Sequence, residues 1–205
     1  MCFHTAIRAR ITIVHFRRFA CFLLGLWLGG GLFMDMVATQ NFRSVDRLLA
    51  KPVPPATQQL DKLGPAAARV LLRHQVSEQN RWYFQTWGLL EVLIGLALLL
   101  ILVFGSTERN FSLLLALLML LIAVVQRSAL TPQMVNLGRA IDWIPLDQPS
   151  PDRARFWMLH NAFSGLELVN WALGLLLIGK LLFRSRKRGA GQDTDLWDSR
   201  SRAAL

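Results

Sequence analysis

Cysteine is nearly absent from this chain. Cys2 and Cys21 are the only two in 205 residues. One stands at the extreme terminus and the other inside an apolar run, which argues against a disulfide-stapled extracellular module. There is no CxxC, no zinc-finger spacing and no Cys/His cluster. HxxxH and ExxH spacings are missing too, so the usual helical metal frames are not offered. No catalytic motif appears, and the chain is expected not to be an enzyme. Acidic residues are scarce, with 13 Asp plus Glu against 23 Lys plus Arg and a formal net charge of +10. An internal repeat of the inverted transporter kind is not evident.

Apolar residues are abundant instead. They make up 53% of the chain, which is high for a soluble domain of this length. They collect in four long runs, and the basic residues lie mostly outside them. A basic balance can serve nucleic acid or an anionic membrane surface. This distribution favours the bilayer as partner and argues against nucleic acid.

The first run, 19–38, carries one charge, Asp35, and follows Arg17 and Arg18. Twenty apolar residues suffice for a hydrocarbon core of ~30 Å. Residues 1–18 hold Arg8, Arg10, Arg17 and Arg18 with no acid, which also fits a signal peptide. The run is longer than a usual signal core and its end is a poor cleavage site, so an uncleaved span is preferred. Gly25 and Gly29 stand four apart and are expected to form a helix-packing face. The other spans are expected at about 82–104, 111–130 and 156–183. Trp82, Tyr83, Phe84 and Trp87 open the second, and Phe156 and Trp157 the fourth, as interfacial aromatics do.

Between the first two spans, 39–81 reads as two amphipathic helical segments. Phe42, Val45, Leu48 and Leu49 mark one; Leu60, Leu63, Ala67, Val70, Leu71 and His74 mark the other. Pro52, Pro54 and Pro55 separate them, and Gly64-Pro65 interrupts the second. Together they predict a hairpin or cap on the bundle. His74 is assigned to this segment as an ordinary solvated histidine. Residues 133–155, with Pro145, Pro149 and Pro151, read as a loop. The tail, 184–205, is basic and polar and is expected to be disordered. The expected fold is therefore all-α, a four-helix transmembrane bundle. Arginines counted near the span ends place both termini in the cytoplasm, in a plasma or inner membrane.

Ionisable residues inside the spans are few, and each is costly in hydrocarbon. Asp35, Glu91, Arg127, His160 and Glu167 lie one or two per span. Counted at ~1.5 Å per residue, all five fall in the outer half of the bundle. His160, Ser164, Glu167 and Trp171 share one helical stripe; Gly88, Glu91 and Gly95 share another. The expected arrangement is one polar cluster, with Arg127 paired to Asp35 or Glu91. It serves either to fix helix register or to bind a ligand, ion or proton from the outer face.

Several segments resemble a known family. Leu-Trp-Leu-Gly-Gly-Gly-Leu-Phe-Met-Asp-Met-Val-Ala (26–38) is similar to the glycine-rich first helix of the transmembrane-protein-205-like domain family. Leu130-Thr131-Pro132-Gln133-Met134 and Phe156-Trp157-Met158-Leu159-His160 resemble its later signatures. The resemblance covers most of 19–183. It implies a four-helix integral membrane protein and carries over no activity and no residue roles. The first helix also resembles, more distantly, copper-resistance D-like and membrane protoporphyrinogen-oxidase-like proteins. Those place histidines in their helices, and 19–38 has none, so haem or copper is not expected. Three functions remain in view. One is a ligand- or ion-binding membrane protein, the second a structural subunit forming a homo-oligomer or binding a membrane partner, the third a haem- or copper-linked redox protein.

Overall fold

The computed structural model describes the backbone of residues 2–105, 110–145 and 148–202, and side chains over 15–104, 110–145 and 148–183. Of the short turn that the sequence predicts at 105–110, residues 106–109 lie outside the described residues, as do the side chains of the basic 184–188 cluster. Among the described residues the structure is all-α and has no strands. The helices are α1 (Cys2–Ala50), α2 (Pro54–Leu63), α3 (Pro65–Gly105), α4 (Asn110–Val125), α5 (Thr131–Ile141) and α6 (Pro151–Arg202). A π-helical turn, Gln126–Leu130, joins α4 to α5. Four stretches are long and apolar enough to cross a membrane: His15–Ala50, Pro65–Phe104, Asn110–Ile141 and Pro151–Phe183.

Each span packs on the next span in the chain. The α1 helix packs on α3, α3 on α4, and the α4–α5 unit on α6; a sparser contact between α6 and α1 closes the ring. The interior follows helical spacing. Ala20, Leu23, Leu24 and Trp27 from α1 meet Leu98 and Leu102, Leu115, Ala116, Met119 and Ala123, and Leu177 and Leu181. Between these rows, leucines point outward: Leu93, Leu96 and Leu100 of α3, Leu114, Leu117 and Leu121 of α4, Leu175 and Leu176 of α6. An apolar surface that continuous is unstable in water and suits lipid. Inside a bilayer every backbone amide must be satisfied within its own segment, which keeps Gly29-Gly30-Gly31 helical.

Three helices outrun the hydrocarbon. With 41 residues, α3 is about 61 Å long at the usual rise. Its first turns pair with the end of α1 as an antiparallel hairpin. There Asn41 Nδ2 donates to Asn80 Oδ1 at 2.7 Å, Asn80 Nδ2 donates to the Ala38 carbonyl at 3.2 Å, and Arg73 meets Asp46 at 3.6 Å. Pro52 and its neighbours end α1 at Ala50, and Pro65 opens α3 after Gly64, whose φ of 78° suits glycine. The hairpin expected over 39–81 is thus present, joined by α2. Its buried apolar residues are Val45 and Ala68, while Leu63 and Leu71 stay exposed.

Three boundaries differ from expectation. The third span does not stop at Thr131-Pro132, and 133–155 is not all loop, because α5 continues to Ile141. Proline is tolerated at the start of α5 because the preceding turn is wound with i→i+5 bonding: the Thr131 amide donates to the Gln126 carbonyl. Side chains engage the neighbouring carbonyls, Ser128 Oγ to Val124 at 2.6 Å and Gln133 Nε2 to Ala129 at 2.9 Å. The backbone after Phe183 continues as helix to Arg202 instead of disordered tail. Elongating an existing helix carries no nucleation cost. At the other end, the basic segment is likewise helical from Cys2.

Candidate functional site

Four of the five ionisable span residues, Asp35, Glu91, His160 and Glu167, are linked electrostatically through Asp35, and Arg127 stands apart. The four occupy two levels.

The deeper level is built by Glu91 and Glu167, both buried. Trp27 Nε1 donates to Glu91 Oε1 at 3.1 Å, and Trp171 Nε1 donates to Glu167 Oε1 at 2.9 Å. Gln126 Nε2 donates to Glu167 Oε2 at 3.3 Å and to the Phe163 carbonyl at 3.1 Å. The Trp87 side chain lies within hydrogen-bonding reach of Glu91. The two carboxylates, carried by opposite helices, are thus ringed by indole N–H groups instead of cations. Buried polar groups need such partners. The Gln126 side chain faces inward because it continues the buried stripe of α4, Ala116, Met119 and Ala123, by one more helical step. Asn170 is fully buried below this level, with neither side-chain polar atom hydrogen-bonded.

Glycine makes this level possible, but not the glycines the spacing selected. Gly25 and Gly29 are exposed, and a Cβ on either would meet nothing within 4 Å. They do not pack helices within the chain. The close approach is at Gly30, whose missing Cβ is where the Trp87 ring lies, and at Gly31. There an added Cβ would stand 3.1 Å from Glu167 Oε1 and 3.3 Å from Trp171 Nε1. The packing face is one residue out of phase with the GxxxG pattern because it follows Ala20, Leu24 and Trp27.

The upper level is a cavity of about 490 Å³, lined from all four long helical units. Asp35 and His160 stand on its wall within electrostatic reach of each other. Both are exposed, where α1 and α6 make their sparse contact. Aromatic and sulfur side chains join them on the wall: Phe42, Phe84, Met134, Phe156, Trp157 and Phe163. The stripe of His160, Ser164, Glu167 and Trp171 is real and links the levels, with its first half on the cavity and its second half in the carboxylate layer.

Arg127 is the outlier. Its aliphatic stem fills the space left by Gly88, and its Nε is buried without a hydrogen bond. Among the described residues it forms no ion pair, so the pairing expected with Asp35 or Glu91 is not found. Arg127, one residue after the inward Gln126, lies on the α3 side against Gly88, one turn above Glu91. His15 is 20 residues before Asp35 on α1, about 30 Å along the axis, and takes no part in either level.

Over the cavity lies an ion cluster that sequence reasoning missed. Arg81 donates from both terminal nitrogens to Asp142, at 2.7 and 2.9 Å, and to Glu78 at 2.7 Å. Arg139 forks onto Glu78 at 2.9 and 3.1 Å. His74 Nδ1 lies 2.7 Å from Asp142 Oδ2, and its ring stacks at 4.8 Å from Trp143. Gly138 leaves room for the Arg81 guanidinium. His74, Glu78 and Asp142 are ligand-type residues with donor atoms within 4.8 Å of one another, but two guanidiniums engage both carboxylates. The available signal was the spacing of His74, Glu78 and Arg81, four and three apart on one face of α3. Its partners are hidden in the sequence because 133–155, with its prolines, reads as loop.

Fold and site define a multi-pass four-helix membrane protein, with a buried carboxylate layer beneath an aromatic-lined cavity. Comparison with protein-family models, curated proteins and solved structures finds no match to this chain.

Proposed function

We propose that this protein binds a small amphipathic molecule within the membrane, in the cavity between α1, α3, α5 and α6. The observation that carries this reading is the cavity itself. Its volume of about 490 Å³ is in the range of small-molecule sites, and a mostly apolar wall surrounds a few polar groups. Its polar end holds Asp35, His160 and Asn80, and the aromatic wall accepts an apolar body. Glu91 and Glu167 do not line it, so they hold the bundle together beneath the ligand instead of contacting it. The family resemblance, a plasma or inner membrane, and cytoplasmic termini belong to the same proposal. In that orientation the cavity lies in the outer half of the bilayer.

Native mass spectrometry of the purified protein tests it. The wild-type spectrum should contain a bound small molecule. Ala38→Phe, which fills the cavity from α1, should abolish that adduct. Gly25→Leu, on the outer face where nothing lies within 4 Å, should retain it. An adduct equally present in both variants, or absent from all three, contradicts a ligand in this cavity.

A further inference from the structure

Resting on that reading, we infer that the cavity selects an organic cation, a quaternary or protonated amine with an apolar body. The inference comes from the balance of charge and aromatic faces around this space. Two charged side chains besides His160 line it, Asp35 and Arg81. The arginine is spent: its guanidinium is forked on Asp142 and bonded to Glu78. No lysine or arginine pairs with Asp35 among the described residues. Its nearby charged groups are His160 and, beneath the cavity, Glu91 and Glu167. Asp35 is therefore the one acidic side chain on the wall, and no free lysine or arginine stands on that wall beside it.

The aromatic groups fit the same occupant. Phe156, Trp157 and His160 form one ring cluster, with centroids 5.3–6.0 Å apart, and Phe84 meets Phe163 edge-on at 6.3 Å. Ring faces attract cations, tryptophan most strongly, and the attraction rises where water is excluded. A carboxylate beside several aromatic faces is an arrangement for ammonium heads. An anion would meet Asp35 with no free lysine or arginine on the cavity wall to offset it.

The same head chemistry occurs on soluble amines and on choline lipids, and one experiment separates them. The full-length protein in uncharged maltoside micelles is titrated with tetraphenylphosphonium, with the isosteric anion tetraphenylborate, and with neutral triphenylphosphine oxide; empty micelles are subtracted. The cation should bind saturably and the anion should not. Asp35→Asn, at an exposed position, should weaken the cation about tenfold or more and leave the neutral oxide within about twofold. Trp157→Leu, also exposed, should weaken the cation while keeping an apolar wall. Displacement by phosphatidylcholine identifies a lipid head, and displacement by a soluble tetraalkylammonium alone identifies a free amine. Equal binding of anion and cation, or unchanged cation binding in Asp35→Asn, overturns the inference while the oxide still reports a ligand cavity. Failure of all three probes to bind overturns both readings.

Discussion

Replacing Arg81 by methionine is expected to lower the melting temperature of the detergent-solubilised protein by on the order of 10 °C. The side chains of Arg81 and Asp142 retain 11% and 8% of their exposure, so the pair is largely removed from water. Deleting one member of such a pair typically costs about 3–5 kcal/mol, because the other charge stays buried without its partner. Asp142 would keep only His74, and Glu78 only Arg139. The guanidinium also ties α3 to the end of α5 across Gly138, so the loss falls on tertiary structure and not on one helix. Arg81→Lys should be intermediate, since an ammonium cannot fork onto a carboxylate. The double variant Arg81→Met/Asp142→Leu should recover most of the stability, because no buried charge is left behind. Fluorescence-detected size exclusion after heating reads all three. A wild-type melting curve for Arg81→Met would show that the clamp holds nothing.

The second large effect is expected at Gly30. A side chain there enters the space of the Trp87 ring, and Trp87 packs against the core and reaches Glu91. Gly30→Leu should cost about 1–3 kcal/mol or more through overpacking, with loss of monodisperse protein on extraction as the readout. Gly25→Ala and Gly29→Ala, which point away from the bundle, should stay within about 0.5 kcal/mol of wild type. Gly30→Ala combined with Trp87→Leu should be less destabilised than the sum of the two single changes, since the clashing ring edge is gone. Sensitivity at Gly25 with tolerance at Gly30 would move the packing face one residue and contradict the register described above.

Much of the fold was legible because hydrophobic length is a strong signal. Four apolar runs gave four spans, and Pro52 and Pro65 gave the ends of the α1–α3 hairpin. The stripe from His160 to Trp171 was legible from its four-three-four spacing, and it does run from cavity to carboxylate layer. Depth along the axis is also readable, and it puts Glu91 and Glu167 at similar levels. Azimuth is not. A π turn adds one residue to the third span and rotates everything after it, so the buried stripe steps five residues, from Gln126 to Thr131, and passes Arg127 by. The same turn lets helix continue through Pro132 and builds α5, which carries Arg139 and leads directly into Asp142. Local sequence has no simple marker for that winding; the proline after Thr131 reads equally well as a helix end. Gly30 and Gly31 were overlooked for a related reason. A run of three glycines names no face by itself, and the face was set by Trp27 and Leu24 packing on α3 and α4.

The central claim is that an open binding space lies between α1 and α6 at the level of Asp35. Thiol accessibility measures that space directly. With Cys2 and Cys21 replaced by serine, Ser164→Cys places one thiol on the cavity wall, and Ala123→Cys places one in the core at a residue 1% exposed. The small cationic reagent 2-(trimethylammonium)ethyl methanethiosulfonate should modify the first rapidly and the second hardly at all. Adding Ala38→Phe should slow modification at position 164 about tenfold or more, because the filled cavity shuts out a reagent of ligand size. Equal rates at positions 164 and 123, or no slowing when the cavity is filled, would contradict the account.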